Sequence, residues 1–268
     1  MLSKFTEEAL SFNAPEKIDK SLSNKFLGSI ITMVNDSVST AAARNVIMSI
    51  KNTKSEIFPF IIPATTPETL EEELKEMGLS MDRWTYPSEP GQVVRDLQSG
   101  MTLSGYNAKH ISKVVSCLVS HMRIWYMCAG FHMPIVVMEH DAKFTKKFVS
   151  SQFPKTGGGI IGLNDPRGAT RKSSVYYTEV LNSKSIYEGY PNLREVPWVD
   201  SDQTIPQGIA GNSAYIIYPK AAGHMLDLVR RYGMWPNDAL MCKQLVPFLK
   251  QAYPFLTTLQ GVRSTTQG

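Results

Sequence analysis

The stretch Pro134-Ile135-Val136-Val137-Met138-Glu139-His140-Asp141 constrains the chain more than any other. An unbroken apolar run of this kind is what a strand buried on both faces requires. It ends in two carboxylates flanking a histidine. Side chains alternate along a strand, so Glu139 and Asp141 are expected to point one way and His140 the other. In an open α/β sheet, ligands bind beyond the carboxyl ends of the strands. Two acidic groups presented there suit a divalent cation, and through it a phosphate. The plainer alternative is a strand followed by an acidic turn, because short acidic motifs recur by chance.

The rest of the chain alternates between the two periodicities. Residues 28–34 read as a first core strand, broken by Asn35-Asp36-Ser37. Ser39 or Thr40 is expected to cap a helix through Ala41 to Ile47. Nucleotides often bind at such a strand–loop–helix junction, which makes Asn35 and Arg44 candidate donor contacts. No glycine-rich fingerprint is present, so neither a Walker-type nor a dinucleotide site is supported. Residues 56–62 read as a second strand, weakened by Pro59. An acidic helix through Glu71 to Met77 is expected to start at Thr66 or Thr69 and stop at Gly78.

Residues 80–110 carry Pro87, Pro90, Gly91, Gly100 and Gly105 and read as irregular. Residues 111–129 form an apolar helix ended by Gly130, with Cys117 and His121 one turn apart on one face. A thiol–imidazole pair is one reading of those two; an inert buried cysteine is the commoner one. Residues 175–205 read as loop with short strands. Residues 211–218 form a further strand, Pro219 opens a helix to Tyr232, and a last helix is expected over 239–250. Asp238 stands where an N-cap would fall, which is its structural alternative to a catalytic role. With no repeat and no linker, the expectation is one α/β domain over 27–260, with a peripheral arm over 1–26 and a polar tail over 261–268.

Composition excludes some classes. The 268 residues are 43% hydrophobic and carry three cysteines with no Cys-x-x-Cys pair. An odd, unpaired set in apolar surroundings reads as reduced thiols in a cytoplasmic protein. No signal peptide is evident near Met1, and no stretch approaches the roughly 20 apolar residues of a membrane span. The net charge of +4 is mild. It is uneven, however: Lys143, Lys146, Lys147, Lys155, Arg167, Arg171 and Lys172 face only Asp165 in that segment. Such a run beside a phosphate-handling site can bind polyanions or can be a solvated loop.

Three segments, taken together, resemble glycosyltransferase family 25. Residues 115–125, with Cys117, Ser120, His121 and Trp125, are similar to the family's Cys-x-x-Ser-His-x-x-x-Trp helix. Residues 134–142 resemble its apolar strand ending in an acidic motif. Residues 211–222, followed by Pro236-Asn237-Asp238, resemble its third block. Ser116 stands where the family usually has glycine, which puts the local backbone in question. His140 in the middle of the acidic motif lowers its charge, and this form is similar to versions carried by tailed phages.

The resemblance implies a GT-A fold, a Rossmann-type mixed sheet flanked by helices, binding a nucleotide sugar such as a UDP-sugar. It implies Mn²⁺ or Mg²⁺ on the diphosphate, held by Asp141 and Glu139, with His140 beside the donor. It makes Ser120 and His121 packing or supporting groups, and Asp238 the base that activates the acceptor hydroxyl. The phage-like form implies transfer of a pentose such as arabinose, or of a hexose, to hydroxymethylcytosine-type bases in double-stranded DNA, within the host cytoplasm. Lys143, Lys146, Lys147, Arg167, Arg171 and Lys172 would then face the DNA. A lipopolysaccharide or other glycan acceptor is the alternative, and a non-catalytic DNA- or sugar-binding module is a third reading.

Overall fold

The computed structural model describes residues 25–105, 110–167, 172–185 and 187–262. Nearly all of the expected N-terminal arm, Arg171 and most of the polar tail lie outside the described residues. The chain builds a seven-stranded mixed sheet with helices on both faces, in the order β2-β1-β5-β9-β7-β10-β8. These strands are β1 (Phe26–Thr32), β2 (Ile57–Pro63), β5 (Ile135–Glu139), β7 (Ile160–Gly162), β8 (Leu193–Glu195), β9 (Ala214–Ile217) and β10 (Leu249–Ala252). β1 runs parallel to β2 and β5, and β7 runs parallel to β10. β9 lies between β5 and β7 and is antiparallel to both.

β5 is central because both its faces are covered. Ile135 and Val137 belong to the core under α3 (Ile111–Phe131) and α5 (Pro219–Tyr232), with Leu118, Met225 and Ile217. Val136 and Met138 belong to the opposite core under α1 (Ser37–Asn52), with Ala43, Val46 and Ile216. All four strand residues are 0% exposed. Burying each such side chain contributes about 1.5–3 kcal/mol, which holds the strand in register at the sheet centre. β2 is an edge strand, so Pro59 removes no ladder donor that a neighbour needs.

Several local expectations are corrected. The cap of α1 is Asp36, whose carboxylate accepts from Ser39 N at 2.6 Å. The Ser39 hydroxyl instead accepts from Met33 N at 2.9 Å and ties the helix start back to β1. α2 (Leu70–Glu76) begins after Thr69 as expected, and Gly78 follows with φ 69°. Residues 80–110 contain an antiparallel hairpin, β3 (Val93–Arg95) with β4 (Thr102–Ser104).

α3 runs through Gly130 and stops at His132, which takes the left-handed conformation at φ 54°. It is long and apolar enough to cross a membrane, contrary to expectation, but its apolar window is 67% buried inside the fold, as befits a core helix. Residues 173–182 form a helix, α4 (Ser173–Asn182), where loop was expected; Tyr176 and Val180 anchor it. The expected helix over 239–250 is only α6 (Asn237–Leu240), after which the chain turns into β10. The sheet needs β10 to pair β7, and this pairing overrides the weak helical pattern. β6 (Ala142–Phe144) pairs with β11 (Thr257–Leu259) as a separate ribbon.

Candidate active site

Beyond the end of β5 a cleft of about 1000 Å³ opens between the β1–α1 turn, the N-terminal half of α3, the turn before β9 and α6. Glu139, His140 and Asp141 all line it. The alternation that buried Ile135 and Val137 under α3 carries Glu139 to that same side. There its Oε1 lies 3.3 Å from His121 Nε2. His140 is 8% exposed, and the charges of Glu139 and Asp36 act on it.

The backbone of this turn is clamped from the far end of the domain. Gln260 N donates to Asp141 O at 2.8 Å, and Gln260 Nε2 donates to the carbonyls of Ala42, His140 and Ala142. Nothing in the local sequence of the motif announces this partner.

The electrostatics are uneven. Burial pushes Glu139 up, but its hydrogen bond with His121 leads the effects that outweigh burial and hold the carboxyl below its usual value. Asp141 is raised to about 7, first by burial and then by repulsion from Glu139. Its Oδ1 is buried without a hydrogen-bond partner. Burial lowers the His140 imidazole more than Glu139 and Asp36 lift it. Asp238 opens onto the cleft and is exposed by area, yet the protein mass around the cleft still raises its carboxyl, with Glu139 adding to the rise. Its Oδ1 accepts from Ala239 N at 2.9 Å, so it is a first-turn residue of α6 and does not cap the helix.

Cys117, His121 and Glu139 bring their ligand atoms within 4.8 Å of one another. The Cys117 thiol is pushed well up by burial and by Glu139, Asp238 and Asp141. It donates weakly to Asn237 Oδ1 at 3.9 Å. A thiol so held stays protonated, which makes it a poor nucleophile. His121 takes part in other bonds, so the thiol–imidazole pair does not form. Ser120 is structural: its hydroxyl donates to Ser116 O at 2.8 Å and accepts from Thr65 N at 2.9 Å.

Buried polar atoms without partners concentrate here. Besides Asp141 Oδ1 they include both amide atoms of Asn212, Asn237 Nδ2 and Ser116 Oγ, all on residues lining the cleft. Leaving such atoms dry costs about 1–3 kcal/mol each, so the arrangement fits a polar ligand that supplies the missing bonds. Asn212 and Asn237 were not singled out in the sequence. Both lie within the residues matched to the third block, and only the orphaned amides distinguish them.

The remaining sequence candidates scatter. Asn35 and Arg44 are exposed and do not line the cleft; Asp36 and Ser39 do. Arg44 misses it because Ala42, Ala43 and Val46 form the buried stripe of α1 and turn Arg44 outward. Lys143 is exposed on β6, between buried Ala142 and Phe144. Lys146 is exposed, and Lys147 pairs with Glu56 at 3.5 Å. Arg167 pairs with Asp165 at 2.7 Å. Lys172 lines the cleft and pairs with Asp200 at 2.7 Å.

Comparison with known proteins bears on this geometry. No curated protein matches the chain. Among solved structures it is similar to mouse xyloside xylosyltransferase 1 in its apo form, at 11% identity and a TM-score of 0.35, over 84% of this chain and 83% of that one. The family described as glycosyltransferase family 25 (LPS biosynthesis protein) matches residues 36–241, which hold α1, the acidic strand end and α6. The chain therefore belongs to glycosyltransferase family 25 and is a nucleotide-sugar glycosyltransferase.

Proposed function

We propose that the cleft binds a UDP-sugar together with Mn²⁺ or Mg²⁺, and that Asp141 and Glu139 hold the cation. One observation carries this reading: Asp141 is driven up to about 7 by burial and by Glu139, with a buried oxygen that has no partner. A divalent cation between the two carboxylates would remove both penalties, and hard oxygen ligands suit Mn²⁺ and Mg²⁺. The bound cation would supply charge stabilisation to the nucleoside diphosphate as it leaves. Asp238 is the proposed base. Its raised carboxyl faces the open cleft, where it takes the proton of the acceptor hydroxyl as that oxygen bonds the sugar's anomeric carbon. Asn212 and Asn237 hydrogen-bond the donor or acceptor hydroxyls.

The acceptor we propose is a hydroxymethylcytosine-type base in double-stranded DNA. Exposed Lys143 and Lys146, beside the acidic strand end in sequence, support a phosphate contact, and the base would have to leave the stack to enter the cleft. Lys172 and Lys113 line the cleft itself. A glycan acceptor is the second reading, favoured by the lipopolysaccharide role in the family's description.

A thermal-shift series of nucleotide sugars with and without Mn²⁺ tests the donor site, because a ligand of the folded state raises stability by mass action. Mn²⁺-dependent stabilisation by a UDP-sugar is the expected result; equal shifts with a chelator present would rule out the metal. Retention on duplex DNA across a salt series tests the acceptor. Steep loss of binding with salt is expected, and no binding at low salt would leave the glycan reading.

A further inference from the structure

The acidic motif is supported from behind by a chain of three buried side chains. Trp125, Tyr215 and His121 are each 0% exposed. Trp125 Nε1 donates to Tyr215 Oη at 2.9 Å. Tyr215 Oη lies 2.9 Å from His121 Nδ1, and the two rings are stacked at 15°. His121 Nε2 lies 3.3 Å from Glu139 Oε1. The residues come from two elements that the sheet forces together: His121 and Trp125 from α3, and Tyr215 from β9, the strand next to β5.

Chemistry fixes the direction of this chain. An indole nitrogen can only donate, so Tyr215 Oη accepts from Trp125. The phenol is un-ionised, since burial pushes it well above its usual value. Its own proton then needs an acceptor, and His121 Nδ1 is the one in reach among the described residues. A proton on Nδ1 would leave the phenol with two donors aimed at it and its hydrogen buried without a partner, at a cost of about 1–3 kcal/mol. Nδ1 is therefore bare, and the imidazole hydrogen sits on Nε2, facing Glu139.

We propose that Trp125 and Tyr215 lock His121 in its Nε2–H form, which commits that nitrogen to Glu139 and reserves the cation site for oxygen ligands. The inference rests on the metal reading given above and adds two things to it. His121 is a positioning residue that holds one carboxylate oxygen of Glu139, leaving Oε2 free of partners among the described residues. The Cys117–His121–Glu139 group, which by its spacing could take a soft ion, is denied its imidazole lone pair. The lock thereby discriminates against Zn²⁺ and in favour of Mn²⁺ or Mg²⁺.

The wild-type protein, metal-free and ¹⁵N-labelled at histidine, tests this directly by long-range ¹H–¹⁵N correlation at neutral pH. The expected spectrum shows His121 with a protonated Nε2 and a bare Nδ1. An Nδ1–H form, or an imidazole protonated at both nitrogens, would overturn the proposal. In Tyr215→Phe the imidazole should lose its single form. Mn²⁺ affinity measured by electron paramagnetic resonance should fall about tenfold, the lower end for losing a partner that orients a ligand. Zn²⁺ affinity should rise. Unchanged imidazole and unchanged metal preference in that variant would also overturn the lock. The wild-type spectrum stands alone if the variant does not fold. A wild type that shows the Nε2–H form but binds no Mn²⁺ would sink the metal reading and leave the lock intact.

Discussion

Glu139 and Asp141 stand in one cleft with Asp238, whereas the basic residues that follow them in sequence are dispersed: Lys143 and Lys146 are exposed, Lys147 and Arg167 pair with Glu56 and Asp165, and Lys172 alone of them lines the cleft, paired with Asp200. The acidic groups converge from β5, the turn beyond it and α6, and they disturb one another: Glu139 raises both Asp141 and Asp238. The basic groups are spread over β6 and the loops beyond it, and Lys147, Arg167 and Lys172 are already neutralised. Like charges gathered by a fold at a cost point to a ligand that relieves the cost. Opposite charges paired at the surface ask for nothing further, and such pairs contribute little. A dense charge run in sequence was therefore a weaker guide to what lines the cleft than two carboxylates at a strand end.

The sharpest way to break the contrast is to remove the converging acids. Asp141→Ala should cut sugar transfer by about 10³-fold, the scale expected when a centre stabilising the leaving charge is lost, as read by nucleotide release. Turnover near the wild-type rate would show that the cleft acids do not hold the cation. Asp238→Asn should lower kcat by about 10²-fold, the low end for loss of a general base, while Mn²⁺ binding persists. A loss of metal affinity in that variant would move Asp238 from the acceptor side to the metal.

A third test uses pH. The folded Asp141 carboxyl is raised from 3.8 to about 7, so the folded state holds a proton that the unfolded chain has released. The stability this proton gives is fully present below about pH 4 and is lost as pH rises through about 7. Urea unfolding with a chelator present should show that decline, and Asp141→Asn should flatten it. Added Mn²⁺ should restore stability at neutral pH in the wild type and not in the variant.

Smaller effects belong to the basic side. Under the DNA reading, Lys143→Ala and Lys146→Ala should each reduce the slope of log affinity against log salt by about 1. Arg167→Ala, which removes the pair with Asp165 and the guanidinium's contact with the Tyr177 ring, should lower the urea midpoint only slightly and leave the slope unchanged. A full unit of slope lost there would return Arg167 to the acceptor surface and erase the contrast.

Much of the frame was open to a reading of the chain alone. The run Ile135–Met138 demanded burial on two faces, and period-two alternation sends Ile135 and Val137 to one core and Val136 and Met138 to the other. The edge position of β2 could be anticipated from Pro59, and the start of α5 from Pro219. These are local properties: side-chain period, a missing N–H, an apolar run. The misses lie where distant residues settle the outcome. Residues 239–250 carry a helical pattern, but β7 takes 249–252 into the sheet. Residues 173–182 look polar, yet Tyr176 and Val180 find a core made by other segments.

The same division runs through the site. Sequence alone determined that a buried strand ends in Glu139-His140-Asp141 and that a histidine and a tryptophan share the preceding helix. Only the tertiary structure decided what each would do. It joined Tyr215 of β9 to His121 and Trp125, brought Asp238 and the orphaned amides of Asn212 and Asn237 to the cleft, and clamped the motif with Gln260. Hydrogen-bond direction, carboxylate repulsion and the burial of an unpartnered oxygen are properties of groups in contact. The contacts that matter here join residues scores of positions apart, and no periodicity along the chain records them.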